Sequence, residues 1–141
     1  MKKLLSAILL LVCISPLFAD TIDYCHIYYN KIKIKEINET QKDQVISLNS
    51  KEIKKADIIT IRYFYDTPSD DCLTQVIIND KKQNIIVSGK SKGSSNPIDV
   101  TVFPLFQKYL QTGEGTYDVF YIDKNEQKNE FKKLIFKIII E

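Results

Sequence analysis

Apolar and polar residues alternate along most of this chain with the period of two that is typical of β-strands. The segment 57–66 gives the clearest example, because its large apolar residues share one face and Thr60 and Arg62 lie on the other. The apolar face consists of Ile59, Ile61, Tyr63 and Tyr65. This alternation predicts a strand with one buried face.

Similar patterns predict further strands, and turn-forming residues separate them. Inside the first segment the apolar register changes near Asn30 and Lys31, which predicts a bend or a bulge there. Leu105–Gln111 has apolar residues at helical spacing, so one or two helical turns are expected. The remaining strands are expected at 24–37, 45–48, 72–80, 84–89, 98–103, around Tyr117, and at 131–140.

Many short strands without a long amphipathic helix or a repeat predict an all-β fold. The expected architecture is an antiparallel β-sandwich of seven or eight strands. A small open β-barrel is the alternative.

The stretch Gly113–Asp123 adds a more specific signal. Leu110 is followed by a short loop, then by Gly115, Thr116, Tyr117 and Val119. This order resembles the approach to strand F in immunoglobulin-like and fibronectin type III-like sandwiches, where a tyrosine fixes the corner. The resemblance implies an immunoglobulin-like sandwich with Tyr117 buried and its hydroxyl group hydrogen-bonded.

The first residues have the pattern of a bacterial secretory signal peptide: Lys2 and Lys3, an apolar run over Leu4–Ile14, and a small residue at Ala19. The run is shorter than the roughly 20 residues that a membrane-spanning helix needs. We therefore predict a signal peptide at 1–19 and one domain at 20–141, in a periplasmic or secreted protein that leaves the membrane after cleavage.

Charge makes a nucleic-acid partner improbable. The chain has 20 basic and 18 acidic residues, and cleavage after residue 19 would remove Lys2 and Lys3 and leave 18 of each. Nucleic-acid binding gains its affinity from an excess of basic residues that release counterions. Such an excess is absent here.

Two cysteines, Cys25 and Cys72, remain after the expected cleavage. A pair of cysteines in a small exported domain predicts a disulfide, and two buried thiols are the alternative. Their spacing fits neither a zinc site nor a redox motif.

Catalytic patterns are weak. His26 is the single histidine, which argues against catalytic dyads and multi-histidine metal sites. Asp66, Asp70 and Asp71 place oxygen ligands in one segment, but their spacing is not that of a known calcium loop, and turn chemistry explains them equally well. We predict no catalytic residues, no metal and no cofactor.

These observations favour an exported non-catalytic binding domain, for example a periplasmic inhibitor or immunity protein that acts by protein–protein contact. The alternatives are a structural or adhesion module of the cell envelope and a small carboxylate-dependent hydrolase.

Strand alternation predicts the binding surface. If Tyr117, Val119 and Tyr121 face inward, the residues between them face outward. The same pattern places Leu134, Phe136, Ile138 and Ile140 inward in the last strand. An exposed apolar patch of this kind marks a protein partner or a homodimer, although a covering segment would also explain it. The expected contact residues are Phe120, Ile122, Ile135 and Ile139.

Overall fold

The computed structural model describes residues 22–41, 43–65, 69–124 and 131–141. The predicted signal peptide at 1–19 lies outside these residues. The described part contains nine strands and one helix. The strands are β1 (Tyr24–Tyr29), β2 (Ile32–Asn38), β3 (Val45–Leu48), β4 (Ile58–Phe64), β5 (Leu73–Asn79), β6 (Ile85–Lys92), β7 (Ile98–Thr101), β8 (Thr116–Lys124) and β9 (Phe131–Ile140), and the helix is α1 (Phe103–Thr112).

The strands form two sheets. Sheet A has the order β2-β1-β4-β7, and sheet B has the order β3-β9-β8-β5-β6. Neighbouring strands run antiparallel except β3 and β9, which are parallel. The described strands do not close into a barrel, so the all-β prediction is confirmed and the architecture is consistent with a β-sandwich.

One hydrophobic core lies between the two sheets. Tyr63 of sheet A stacks on Tyr121 of sheet B with 4.5 Å between ring centroids and 17° between ring planes. This geometry adds a favourable aromatic contact to the apolar area that both rings bury. The predicted inward faces of β4 and β8 are confirmed, since their residues are buried: Ile59, Ile61, Tyr63, Tyr117, Val119 and Tyr121.

The ninth strand comes from a turn at Asn30 and Lys31. Both residues have positive φ angles, 48° and 72°, so the first predicted strand divides into the hairpin of β1 and β2. Positive φ at both central residues matches the twist of a two-residue hairpin, and asparagine tolerates it better than most residues. The Asn30 side chain adds support by accepting a hydrogen bond from the Ile58 N–H at 3.0 Å.

Strand β9 contains a bulge that the alternation did not reveal. Val119 lies opposite Phe136 and Phe120 lies opposite Leu134, so Ile135 is an extra residue in β9. An extra residue shifts the inward and outward faces on one side of the bulge. The predicted positions are therefore wrong for two residues: Leu134 is 46% exposed and Ile135 is buried, at 9%.

The two sides of the sandwich differ. At the side of β6 and β7 the sheets approach closely, because a Cβ atom on Gly89 would lie 2.3 Å from the Asp99 carbonyl oxygen. At the opposite side, the edge strands β2 and β3 border an open groove. One direct contact between these strands is the hydrogen bond from Lys35 Nζ to the Val45 carbonyl oxygen at 2.8 Å.

The helix α1 leads from sheet A to sheet B, and a short loop after it reaches Tyr117 in β8. Gly113 ends α1 with a φ of 70° and donates its N–H to the Tyr109 carbonyl oxygen. The Tyr117 hydroxyl group then lies 2.7 Å from the Leu105 carbonyl oxygen and 2.8 Å from the Glu114 carbonyl oxygen. Burial raises the pKa of Tyr117 to about 12, so the hydroxyl group stays protonated and donates. The prediction of a buried, hydrogen-bonded tyrosine is confirmed.

Two substitutions of Tyr117 should separate the stability that comes from its buried ring from the stability that comes from its hydroxyl hydrogen bond. We expect Tyr117→Ala to lower the free energy of unfolding by about 3–5 kcal/mol, because it removes a fully buried ring. Tyr117→Phe should cost about 1 kcal/mol for the lost hydrogen bond. Urea unfolding followed by circular dichroism measures both values, and equal losses in the two variants would contradict this account.

The predicted disulfide is wrong in this structure, since Cys25 and Cys72 are both free and buried. Cys25 lies in β1 opposite Tyr63, whereas Cys72 lies just before β5 in the other sheet, with its thiol 3.4 Å from the Ser69 carbonyl oxygen. Burial raises the pKa of Cys25 to about 12 and also raises the pKa of Cys72. Both groups are therefore protonated, poorly nucleophilic thiols at neutral pH.

Alkylation of protein that has never met a reductant tests this assignment. We expect native protein to resist labelling at both positions because the thiols are buried and protonated. After unfolding in urea, peptides that contain Cys25 and Cys72 should both carry the label. A peptide pair joined through these two cysteines would contradict the structure.

Candidate binding surface

The outer face of sheet A carries aromatic and charged side chains on its two central strands. In β1, every second residue faces away from the core, opposite in direction to the buried Cys25 and Ile27. In the antiparallel pair β1–β4, Tyr24 lies opposite Phe64 and His26 lies opposite Arg62. Five residues form what we call the aromatic surface: Tyr24, His26, Tyr28, Arg62 and Phe64.

The rings of the aromatic surface contact one another across the two strands. Tyr24 stacks on Phe64 with 4.6 Å between ring centroids, and the His26 ring meets the edge of Phe64 at 4.9 Å. The Arg62 guanidinium carbon lies 5.4 Å from the centre of the Phe64 ring, within cation–π range. The side chains of the aromatic surface therefore pack on one another across the strand pair, which stabilises the pairing of β1 with β4.

Charged groups border the rings. His26 Nε2 lies 2.9 Å from a Glu36 carboxylate oxygen, and Lys33 Nζ lies 2.5 Å from the same oxygen. The hydrogen bond and positive charge of Lys33 hold the pKa of Glu36 below its usual value, and His26 acts in the same direction. The aromatic surface therefore combines ring faces, a guanidinium group and an ionised carboxylate within one sheet face.

The four predicted contact residues do not form one exposed patch. Phe120 and Ile139 are partly exposed. The expected exposure is wrong for Ile122 and Ile135, which are 5% and 9% exposed. Ile135 is covered because it belongs to the bulge, and Ile122 is covered on the outer face of sheet B, where its strand neighbours are Gln75 and Lys132. Partner contact at Phe120 and Ile139 stays a prediction.

A groove of about 930 Å³ lies between the edge strands β2 and β3 and the β3–β4 loop. Its acidic side chains are Glu52 and Asp57, within the lining that the structure describes. Asp57 accepts hydrogen bonds from the Tyr29 hydroxyl group at 2.5 Å, from Asn30 Nδ2 at 2.9 Å and from the Lys54 N–H at 2.8 Å.

The ionisation of Asp57 follows from these contacts. Burial alone would raise its pKa, but the hydrogen bonds from Lys54, Tyr29 and Asn30 outweigh burial and lower it. Glu52 Oε1 accepts a bond from Asn49 Nδ2 at 3.3 Å. A glycoside hydrolase needs one carboxyl group with a raised pKa, so Asp57 fits the role of a structural acceptor that anchors the loop.

The acidic segment that could have held calcium is only partly described, since Asp66 lies outside the described residues. Asp71 is exposed and forms an ion pair with Lys92 at 3.4 Å. Across the described ranges, no group of three or more His, Cys, Asp or Glu side chains could hold a metal ion.

Comparisons with protein-family models, with curated proteins and with solved structures found no match to this chain. In the part of the chain that the structure describes, no helix has the length and apolar character needed to cross a membrane.

The aromatic surface was missed in the sequence, although a signal for it exists. Phe64 stands on the face of β4 that also carries Thr60 and Arg62, so an aromatic residue interrupts a polar register. Tyr24 and Tyr28 likewise occupy alternate positions opposite the buried residues of β1. Their convergence on Phe64 depended on the pairing of β1 with β4, which the pattern of either strand alone does not specify.

Asp57 provides a test with a defined pH dependence. We expect Asp57→Asn to lower the free energy of unfolding by about 1–3 kcal/mol at pH 7, because hydrogen bonds to an ionised acceptor are lost. The pKa of Asp57 is lowered in the folded state. The ionised carboxylate therefore stabilises the folded protein fully at pH values above its ordinary pKa of 3.8, and this stabilisation is lost as the pH falls below 3.8.

The measurement is urea unfolding of wild type and variant from pH 7 down to pH 3. The difference in the free energy of unfolding between wild type and Asp57→Asn should become smaller as the pH approaches 3. Glu52→Gln is the matched control from the same groove and should change stability little. A constant difference for Asp57→Asn over the whole pH range would contradict an ionised Asp57.

Proposed function

We propose that this chain is an exported, non-catalytic binding domain that contacts a protein partner through the aromatic surface. The observation that carries the proposal is the ordered set of stacked and cation–π contacts at Tyr24, Phe64 and Arg62 on an outer sheet face. Tyrosine, phenylalanine and arginine are enriched at protein interfaces, and tyrosine and arginine are frequent among the residues that dominate binding energy.

The charges around the rings support a protein partner. An interface centre of aromatic groups with a polar rim is typical of specific protein complexes. Here Tyr24 is 39% exposed, while Glu36 and Lys33, of opposite charge, lie on the neighbouring strand opposite His26 and Tyr28. Their opposite signs favour a partner that offers both a cation and an anion, as protein surfaces commonly do.

We further infer that the sandwich is immunoglobulin-like. Several features support this: β1, β4 and β7 are neighbours in one sheet, β9, β8 and β5 are neighbours in the other, and Tyr117 at the start of β8 bonds backward to Glu114. In this interpretation β8 corresponds to strand F. Immunoglobulin-like domains host many functions, so the fold by itself names no partner.

The expected compartment is the periplasm or the exterior of the cell, on the basis of the signal-like pattern at residues 1–19. In that compartment an inhibitor or immunity protein and an adhesion module both use a non-catalytic binding face. The identity of the bound protein distinguishes them, since an inhibitor captures an enzyme and an adhesion module captures envelope components.

A paired substitution tests the role of the aromatic surface. We expect Tyr24→Ala with Arg62→Ala to weaken partner binding on the order of 30-fold or more, because truncating one dominant contact typically costs about 2 kcal/mol. The measurement is affinity capture from an extract of the producing cells, followed by quantitative mass spectrometry and titration of the protein recovered.

The matched control is Leu110→Ala, which removes a side chain that is 66% exposed on α1, away from the aromatic surface. Control and wild type should capture the same protein equally. Urea unfolding must first establish that the paired variant is folded. A folded paired variant that retains full binding would overturn the assignment of the aromatic surface.

A further inference from the structure

We propose that the outer face of sheet B is a second docking surface and that its partner is an acidic protein surface. We call it the lysine-rimmed face. It lies on the opposite side of the molecule from the aromatic surface, because the two sheets pack their inner faces together.

The centre of the lysine-rimmed face is apolar. Ile77 of β5, Phe120 of β8 and Leu134 of β9 lie in one row across three neighbouring strands. Ile122 lies in the next row, two residues along β8. The bulge in β9 is responsible for part of this arrangement, since it turns Leu134 outward to stand beside Phe120.

Lysines surround this centre. Lys132 of β9 lies directly opposite Ile122 on one side. On the other side Gln75 of β5 lies opposite Ile122, and Lys90 of β6 lies beyond Gln75. Lys132 Nζ lies 4.4 Å from the centre of the Phe120 ring, so one lysine already contacts the apolar centre. Among the described residues, the rim consists of Lys90, Lys92, Lys124, Lys132 and Lys137.

Two carboxylates of the described residues lie beside the rim, and both form ion pairs with its lysines. Asp71 pairs with Lys92 at 3.4 Å, and Asp118 pairs with Lys137 at 3.9 Å. Within the described residues, the other three lysines of the rim form no ion pair. The described part of the face therefore has an excess of positive charge, even though the basic and acidic residues of 20–141 balance.

Charge complementarity identifies the occupant. A partner that supplies carboxylates at the rim and apolar side chains at the centre would match both parts of the face. A second copy of this chain is the wrong occupant, because a symmetric contact would bring the same lysine rim against itself. The exposed apolar area at the centre belongs to Phe120 and Leu134, because Ile77 and Ile122 are almost completely covered. Two side chains on a flat strand surface suit a small protein contact better than insertion into a bilayer, which needs a larger apolar face.

A designed peptide of defined chemistry provides the test. The probe is a cyclic β-hairpin peptide that presents leucine and glutamate side chains on one face. The control probe replaces each glutamate by lysine. Each is titrated into ¹⁵N-labelled protein, and amide shifts are followed by NMR. We expect the glutamate probe to shift residues of β5, β8 and β9 and the lysine probe to leave them unchanged.

Substitutions then separate this face from the aromatic surface. Lys124→Glu with Lys132→Glu should weaken binding of the glutamate probe at least tenfold, whereas Lys33→Glu, on the opposite side, should leave it unchanged. Raising the salt concentration from 50 to 500 mM, values chosen for roughly a threefold change in screening length, should also weaken it. Urea unfolding checks that both variants are folded.

The proposal would be overturned if the glutamate and lysine probes bound equally, or if Lys33→Glu weakened binding of the glutamate probe as much as the paired variant does. It would also be overturned if the protein bound phosphatidylglycerol vesicles more tightly than the glutamate probe and the paired variant lost that binding. The last result would assign the face to a lipid surface. None of these outcomes bears on the aromatic surface, so failure here leaves the proposed function to its own test.

Discussion

The hydroxyl group of Tyr117 connects three parts of the chain that the backbone alone does not hold together. It lies within hydrogen-bond distance of a carbonyl oxygen in α1 and of another in the loop that follows the helix, while its ring is buried in the core. The chain passes from sheet A to sheet B at this point. Tyr117 therefore ties α1 and the loop after it to β8, the central strand of sheet B, which pairs with β5 and β9 on its two sides.

The relation between the two sheets also determines what each outer face offers. Stacking of Tyr63 on Tyr121 joins the inner faces, so residues at the intervening positions lie on the outer faces. On sheet A these positions bring rings and a guanidinium group together, and on sheet B they place apolar residues among lysines. The two outer faces therefore differ in chemistry although both are built on the same core.

Much of this fold could be predicted from the sequence, because period-two alternation reports burial directly. The inward faces of β4 and β8, with the buried Tyr117, follow from it, whereas the short helix follows from apolar residues at helical spacing. The bulge at Ile135 could not be predicted, since an unbroken apolar run such as 134–136 contains no alternation to read. The disulfide prediction was wrong because an even number of cysteines says nothing about distance, and Cys25 and Cys72 lie in different parts of the two sheets. The aromatic surface depended on the pairing of β1 with β4, a long-range contact that local patterns leave open.

The parallel pairing of β3 with β9 has a consequence for the order of folding. Residues 45–48 meet their partner strand only at 137–140, and the Glu141 N–H also bonds to the Leu48 carbonyl oxygen. Strand β9 lies between β3 and β8, so sheet B lacks an interior strand until residues 131–140 have been synthesised. Contacts between residues so distant in sequence form slowly, whereas the hairpins β1–β2 and β5–β6 join strands that are close in sequence. Sheet B is therefore expected to be completed late, by addition of β9 to parts that can pair earlier.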